Sequence, residues 1–359
     1  MNKRQNSFIS ILCGVFLLAG CATQSDVRPS NGNSSERRPQ SVSANPGVID
    51  IQDPSVYSQV VVISDVHGMY DQLLTLLRAG QIIDSNNNWI AKNSLLIVTG
   101  DSIDKGPKSI AVLNLWIKLQ SDAAKYGSRL IHVLGNHEAE FLADPQNDAK
   151  AAALIQDMQN QTPAVLLSDL TGTQNPLGVF IHNEPLAARV GLWLFCHSGF
   201  YPDANPTPDS TNTILSTSPN PMSWIDFSAK AQHVLASDQT QGDSKTYRDP
   251  FLTGLTSILE AKAWEKNNAT LDPLLARISA IGLYGIVFGH QPTAFGIAGR
   301  SAAKADGHLI KIDNGMPPEG GGYPGSLLVF TTPSQMTTPA YPQIKIILPD
   351  GSSHILQPE

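Results

Sequence analysis

Residues 60–68 read Val60-Val61-Val62-Ile63-Ser64-Asp65-Val66-His67-Gly68. Four consecutive β-branched residues with no polar alternation describe a strand covered on both faces. An acid, an imidazole and a glycine follow as the strand ends. The same grammar recurs downstream. Leu95-Leu96-Ile97-Val98 leads into Gly100-Asp101-Ser102-Ile103-Asp104-Lys105-Gly106, and Leu130-Ile131-His132-Val133-Leu134 leads into Gly135-Asn136-His137-Glu138. Leu192-Trp193-Leu194-Phe195 leads into Cys196-His197-Ser198-Gly199, and Ile286-Val287-Phe288 into Gly289-His290-Gln291-Pro292. Ligands in open α/β sheets bind beyond the carboxyl ends of strands. Five strands carrying Asp, His, Asp, Asn and two further His to one edge therefore predict a metal site.

Between the first three strands the apolar spacing becomes helical, over 69–79 and 109–126, and Gly127 is a helix stop. Strand, helix, strand, helix, strand is a βαβαβ unit with parallel strands and right-handed crossovers. Polar stretches occupy 143–190 and 200–250, and further strands are expected near 309–312, 326–331 and 343–347. The reading is one mixed α/β domain over residues 57–359.

The start of the chain has a different character. Lys3 and Arg4 precede an apolar run from Phe8 to Ala19, too short for the roughly 20 residues that cross a bilayer but suited to a signal peptide. It closes in Leu17-Leu18-Ala19-Gly20-Cys21, which resembles a bacterial lipobox. The resemblance implies removal of residues 1–20, lipidation of Cys21 and, with Ala22 following, an outer-membrane anchor on the periplasmic side in a Gram-negative source. Plain secretory cleavage is the alternative. Residues 21–56, rich in Ser, Asn, Pro and Gln, read as a flexible polar tether.

The 359 residues carry 24 Lys+Arg against 31 Asp+Glu, a net charge of −7, so no basic excess exists for binding nucleic acid non-specifically. With Cys13 in the signal and Cys21 lipidated, Cys196 is left as a single thiol, which excludes a disulfide framework. It ends an apolar strand, as inert cysteines do, and a Cys-x5-Arg nucleophile loop is absent because residue 202 is Pro. His132 reads as a core residue; His182, His233, His308 and His354 lack motif context.

Taken in order, Asp-x-His, Gly-Asp-x-x-Asp, Gly-Asn-His-Glu, His and Gly-His resemble the calcineurin-like metallophosphoesterase superfamily over roughly residues 60–315. The resemblance implies a two-sheet mixed β sandwich flanked by helices. It implies that Asp65 and His67 bind one metal, that Asp101 bridges, and that Asn136, His197 and His290 hold the second. A bridging carboxylate suits two divalent ions about 3.5–4 Å apart. The mixed imidazole, carboxylate and amide donors suit Mn, Fe or Zn better than Ca. The implied reaction is hydrolysis of phosphate monoesters by attack of a metal-bridging hydroxide, with His137 as general acid and Asp104 orienting it.

Within the superfamily, Gly289-His290-Gln291-Pro292 in place of Gly-His-x-His resembles the phosphoprotein phosphatases, and bacterial Shewanella-like phosphatases in particular. Lys105 stands where they usually carry Arg, a point charge in place of a planar fork. Arg248, in Tyr247-Arg248-Asp249-Pro250, is the candidate second phosphate ligand. The substrate expected is a phosphorylated protein or a small phosphoester. Hydrolysis of phosphodiesters or dinucleoside polyphosphates is the alternative reaction, and a surface-binding lipoprotein that has lost activity is the non-enzymatic alternative.

Overall fold

Alternation explains why the apolar runs form central strands. In β2 (Gln59–Ile63), Val60 and Val62 join one buried cluster, while Val61 and Ile63 join another. Successive side chains of a strand point to opposite faces, so both faces of this strand are covered. The computed structural model describes residues 45–199, 222–236, 246–254, 257–262 and 271–359.

β2 pairs in parallel with β3 (Ser94–Val98), which pairs in parallel with β4 (Arg129–His132). The crossovers are α1 (Tyr70–Ala79) and α2 (Ser109–Ala123), so the expected βαβαβ unit is present. A short turn extends α2 to Tyr126, and Gly127 ends it in the left-handed region, at φ 65°. A side chain at that position would strike Asn93.

On the other side of β2 lie β10 (Leu327–Phe330), β11 (Ile344–Ile347) and β12 (Ser353–Ile355), all antiparallel. The second sheet contains β1 (Val48–Ile51), β5 (Ala187–Val190), β6 (Trp193–Cys196), β7 (Gly285–Phe288), β8 (Ala302–Lys304) and β9 (Leu309–Lys311). Its spatial order is β1-β5-β6-β7-β9-β8.

Val60, Val62, Leu95, Ile97 and Phe330 from the first sheet pack with Val190, Trp193, Phe195, Val287 and Ile310 from the second. Trp193 and Phe195 meet Phe330 edge-on, with centroids 5.3 and 5.9 Å apart. Alternate strand residues, such as Val61, Leu96 and Val98 in the first sheet and Ile286 and Phe288 in the second, belong to a separate buried cluster that also takes in the helix residues Leu73, Leu77, Val112, Trp116 and Leu119. Each fully buried aliphatic side chain contributes about 1.5–3 kcal/mol. The result is the mixed α/β sandwich flanked by helices.

The tether boundary at 56 needs correction. Val48–Ile51 form β1, parallel to β5, and buried Asn45 donates from Nδ2 to the carbonyls of His182 (2.9 Å) and Glu184 (2.8 Å). A four-residue strand amid polar neighbours has no periodicity to reveal it; its partner lies nearly 140 residues away. Residues 21–44 of that segment, and the signal with them, lie outside the described residues.

The 143–190 stretch is helical in α3 (Asn136–Ala143), α4 (Asp148–Asn160), α5 (Leu167–Thr171) and α6 (Pro176–His182). Of the 200–250 stretch, only 222–236, containing α7 (Trp224–Ala236), and 246–250 are described. A final helix, α8 (Leu271–Ala280), precedes β7. Among the described residues no helix is long and apolar enough to cross a membrane.

Candidate metal centre

Asp65 and His67 follow β2, Asp101 follows β3, and Asn136 and His137 open α3 just past β4; His197 follows β6 and His290 follows β7. The chain must turn sharply at each of these points. Asp65, His67, Asp101, Asp104, Lys105 and His290 all have left-handed backbones, with φ of 48, 45, 53, 63, 59 and 62°. Non-glycine residues persist there only when their surroundings over-determine them. The adjoining loops do so: His67 N donates to Asp101 O (2.8 Å), Gly68 N to Ser102 O (2.8 Å) and Gly289 N to His197 O (2.6 Å). A Cβ on Gly289 would collide with the Asp65 carboxylate.

Asp101 is the centre of the cluster. Its Oδ2 lies 3.3 Å from His67 Nε2 and its Oδ1 lies 3.3 Å from His197 Nε2. His197 Nε2 is also 2.9 Å from Asn136 Oδ1. Ligand-type atoms of His67, Asp101 and His137 lie within 4.8 Å of one another, and so do those of Asp101, His197 and His290. Asp101 belongs to both groups. Asp65 Oδ1 stands 4.0 Å from His67 Nε2, and both Asp65 oxygens accept from His290 N, at 3.0 and 3.1 Å.

The donor chemistry fits divalent ions. His67 Nδ1 is 3.0 Å from Ile103 O, and His197 Nδ1 is 2.8 Å from Thr99 O. A carbonyl only accepts, so each Nδ1 carries a proton and Nε2 is the ring nitrogen turned toward the centre, the orientation that a ligating histidine needs. Buried His290 Nε2 has no hydrogen-bond partner among the described residues, a costly state for a group with nothing to bind.

Burial pushes His67 down to about 3 and His290 well below the ordinary imidazole value. Burial opposes ionisation of Asp101, yet His197, His137 and His67 together hold it well below the usual carboxylate range. The same pairing, against burial, lifts His197 to about 9. Asp65 is raised by burial and by neighbouring Asp313. The two carboxyls are thus pushed in opposite directions, Asp65 up by burial and a like charge and Asp101 down by the surrounding imidazoles.

At the rim, His137 Nδ1 lies 3.2 Å from Asp104 Oδ2. Burial works against a charged His137, but Asp101 and the Asp104 bond outweigh it and raise its pKa. Lys105 Nζ reaches His67 Nε2 at 2.8 Å, so this cation is at the cluster.

Arg248 is tied to α3. Its Nε donates to Ala143 O at 2.9 Å, at the opposite end of α3 from Asn136. At 1.5 Å rise per residue that end is roughly 10 Å away along the helix. Its turn packs on the last turn of α3, and the bond to Ala143 is the contact that fixes it there. Cys21 lies outside the described residues. Cys196 is buried, and burial pushes its thiol up to about 12.

Three supporting groups escaped the sequence reading. Glu138 accepts from the backbone N–H groups of Asp101 (3.0 Å), Ser102 (2.8 Å), Ile103 (3.2 Å) and Gly135 (3.2 Å), tying two site loops together. It sits in the quoted Gly-Asn-His-Glu stretch, which was a signal without an assigned role. Thr99 Oγ1 donates to Ser64 Oγ (2.7 Å), which in turn donates to Asp65 Oδ2. Asp313 accepts from Gly315 N at 2.8 Å. His132 is a core residue as expected, but a polar one: Nε2 is 2.6 Å from Ser102 Oγ and Nδ1 is 3.0 Å from Glu184 Oε1.

The family model described as calcineurin-like phosphoesterase matches residues 58–294. Shewanella-like protein phosphatase 1 of Plasmodium berghei is 40% identical over 80 residues, 22% of this chain and 22% of that protein. The symmetrical bis(5'-nucleosyl)-tetraphosphatase of Vibrio campbellii is 28% identical over 141 residues, 39% of this chain and 44% of that protein. The chain thus spans less than half the length of either relative. The crystal structure of a cold-active protein-tyrosine phosphatase of a psychrophilic Shewanella species shares the fold, with a TM-score of 0.62, 21% identity, and coverage of 87% of this chain and 82% of that one.

Proposed function

This chain belongs to the calcineurin-like phosphoesterase family, and from that premise we propose that it is a dinuclear-metal-dependent protein phosphatase. The family depends on two metal ions, and the His and Asp groups at the centre could hold them. The observation that carries the reading is Asp101, whose two oxygens each face a different histidine, at 3.3 Å in both cases.

The proposed ligands are Asp65 and His67 on one side, Asp101 between, and Asn136, His197 and His290 on the other. Ions bound there would supply Lewis acidity toward the phosphoryl oxygens and make a nearby water more acidic. The protein's own groups do the rest. Lys105 places a point charge beside His67, where it offsets phosphoryl charge without fixing its orientation. His137, held through Nδ1 by Asp104, keeps Nε2 for donating a proton to the departing oxygen. Asp104, with Asp101, raises the pKa of that ring and holds its orientation.

The test is turnover of phosphoserine, phosphothreonine and phosphotyrosine peptides against a dinucleoside tetraphosphate, before and after chelation. Phosphopeptide hydrolysis should fall to background on chelation and return with Mn, Fe or Zn. Full activity in the chelated protein would end the metal reading. Preference for the dinucleotide would favour the second reading, to which the Vibrio relative's name points. Against phosphodiester hydrolysis, position 292 is Pro, so the last motif brings no further histidine.

We propose further that Cys21 carries lipid and holds the enzyme at the periplasmic face of the outer membrane in a Gram-negative source. The apolar run ending Leu17-Leu18-Ala19-Gly20-Cys21 supports it. Labelled fatty acid should enter the wild-type protein and be absent from Cys21→Ser; equal labelling of both would reject lipidation.

A further inference from the structure

Lys311 ends β9 and is completely buried. Its Nζ donates to Pro292 O at 2.6 Å and to Ile297 O. Among the described residues it has no ion-pair partner, although a buried charge is normally paired. The two carbonyls stand at either end of a six-residue segment just beyond His290, and a single ammonium joins them.

That segment needs bracing. His290, Phe295 and Gly296 all have left-handed backbones, at φ 62, 62 and 71°. Its other ties include Gln291 Nε2 to Ser198 O (2.9 Å), short internal turns, and Phe295 edge-on against Phe288 (5.9 Å). His290 contributes twice to the centre, with its unpartnered Nε2 and with its backbone N–H on both Asp65 oxygens. Displacing the loop therefore disturbs a ligand from each side of Asp101.

We propose that Lys311 is a positioning residue for the metal centre, fixing His290 and, through its N–H, Asp65, by bracing both ends of the 292–297 loop. This rests on the reading of His290 and Asp65 as ligands. Groups that orient metal ligands typically change affinity by about 10–100-fold when removed.

The experiment is cobalt(II) titration of the metal-free protein, followed by calorimetry and by the visible absorption of the bound ion. Wild type should take two ions. Lys311→Met should bind both ions more weakly, by at least about tenfold for the one that His290 holds, with an altered absorption band. Leu309→Ala opens a cavity on the same strand but leaves the brace, and should keep both affinities. In a His290→Ala background, which removes the imidazole but keeps the backbone N–H to Asp65, Lys311→Met should cost less than it does in the wild-type background. Two unchanged sites in Lys311→Met, or losses that simply add in the double variant, would overturn the proposal. Should Lys311→Met fail to fold, Lys311→Gln, which keeps an amide donor without charge, is titrated in its place with the same criteria. If wild type itself takes up no cobalt, the ligand reading fails, and the role of Lys311 with it.

Discussion

Asp101→Asn should lower phosphoester turnover by at least about a thousandfold, the upper scale seen when one preorganised electrostatic group is lost. The substitution is nearly isosteric, so packing is conserved while charge is removed. Oδ2 faces His67 and Oδ1 faces His197, and an amide can present an oxygen to only one of them. The other histidine would face an NH2 group, which has no lone pair for a cation. Oδ1 also accepts from His137 N at 3.0 Å, so the start of α3 is disturbed as well. Metal content measured beside activity separates the causes: the variant should be folded by circular dichroism and carry less than two ions per chain. Retention of a tenth of wild-type turnover would exclude a bridging role.

His137→Asn should slow phosphoserine-peptide hydrolysis by about 10²–10⁴-fold, the range for a positioned acid, and slow activated aryl phosphates far less. A good leaving group needs no proton, so the difference between the substrates isolates the proton donor. The pH profile carries a second signature. His137 acts protonated, and Asp101 and Asp104 raise its pKa against burial. The rate should therefore fall as pH rises through that raised value, and His137→Asn should lack this alkaline limb. Asp104→Asn removes one of the raising interactions, so its limb should move to lower pH. Equal loss on both substrates, or an unmoved limb in Asp104→Asn, would leave His137 with a structural role only.

Much of the fold is legible because buried parallel strands leave continuous apolar runs. Val60–Ile63, Leu95–Val98 and Ile286–Phe288 coincide with β2, β3 and β7 within a residue. The ligand-type residues were legible for a related reason, since each follows such a run directly. What escaped depends on distant partners. Nothing local marks Val48–Ile51 as a strand, because its neighbour is β5. Glu138 acts on backbone groups of another loop, and Lys311 on carbonyls more than ten residues before it. Arg248 likewise meets a distant partner, the Ala143 carbonyl at the end of α3.

Asp65, His67, Asp101 and Asn136 hang from the sheet containing β2, whereas His197 and His290 hang from the sheet containing β6. An ion shared among them would rivet one layer of the sandwich to the other at its open end. Occupancy would then be coupled to thermal resistance: at a free-ion concentration a thousandfold above Kd, a ligand that binds only the native state adds about 4 kcal/mol. Stripped protein should accordingly melt well below the replete form, and the two layers should loosen first at that rim.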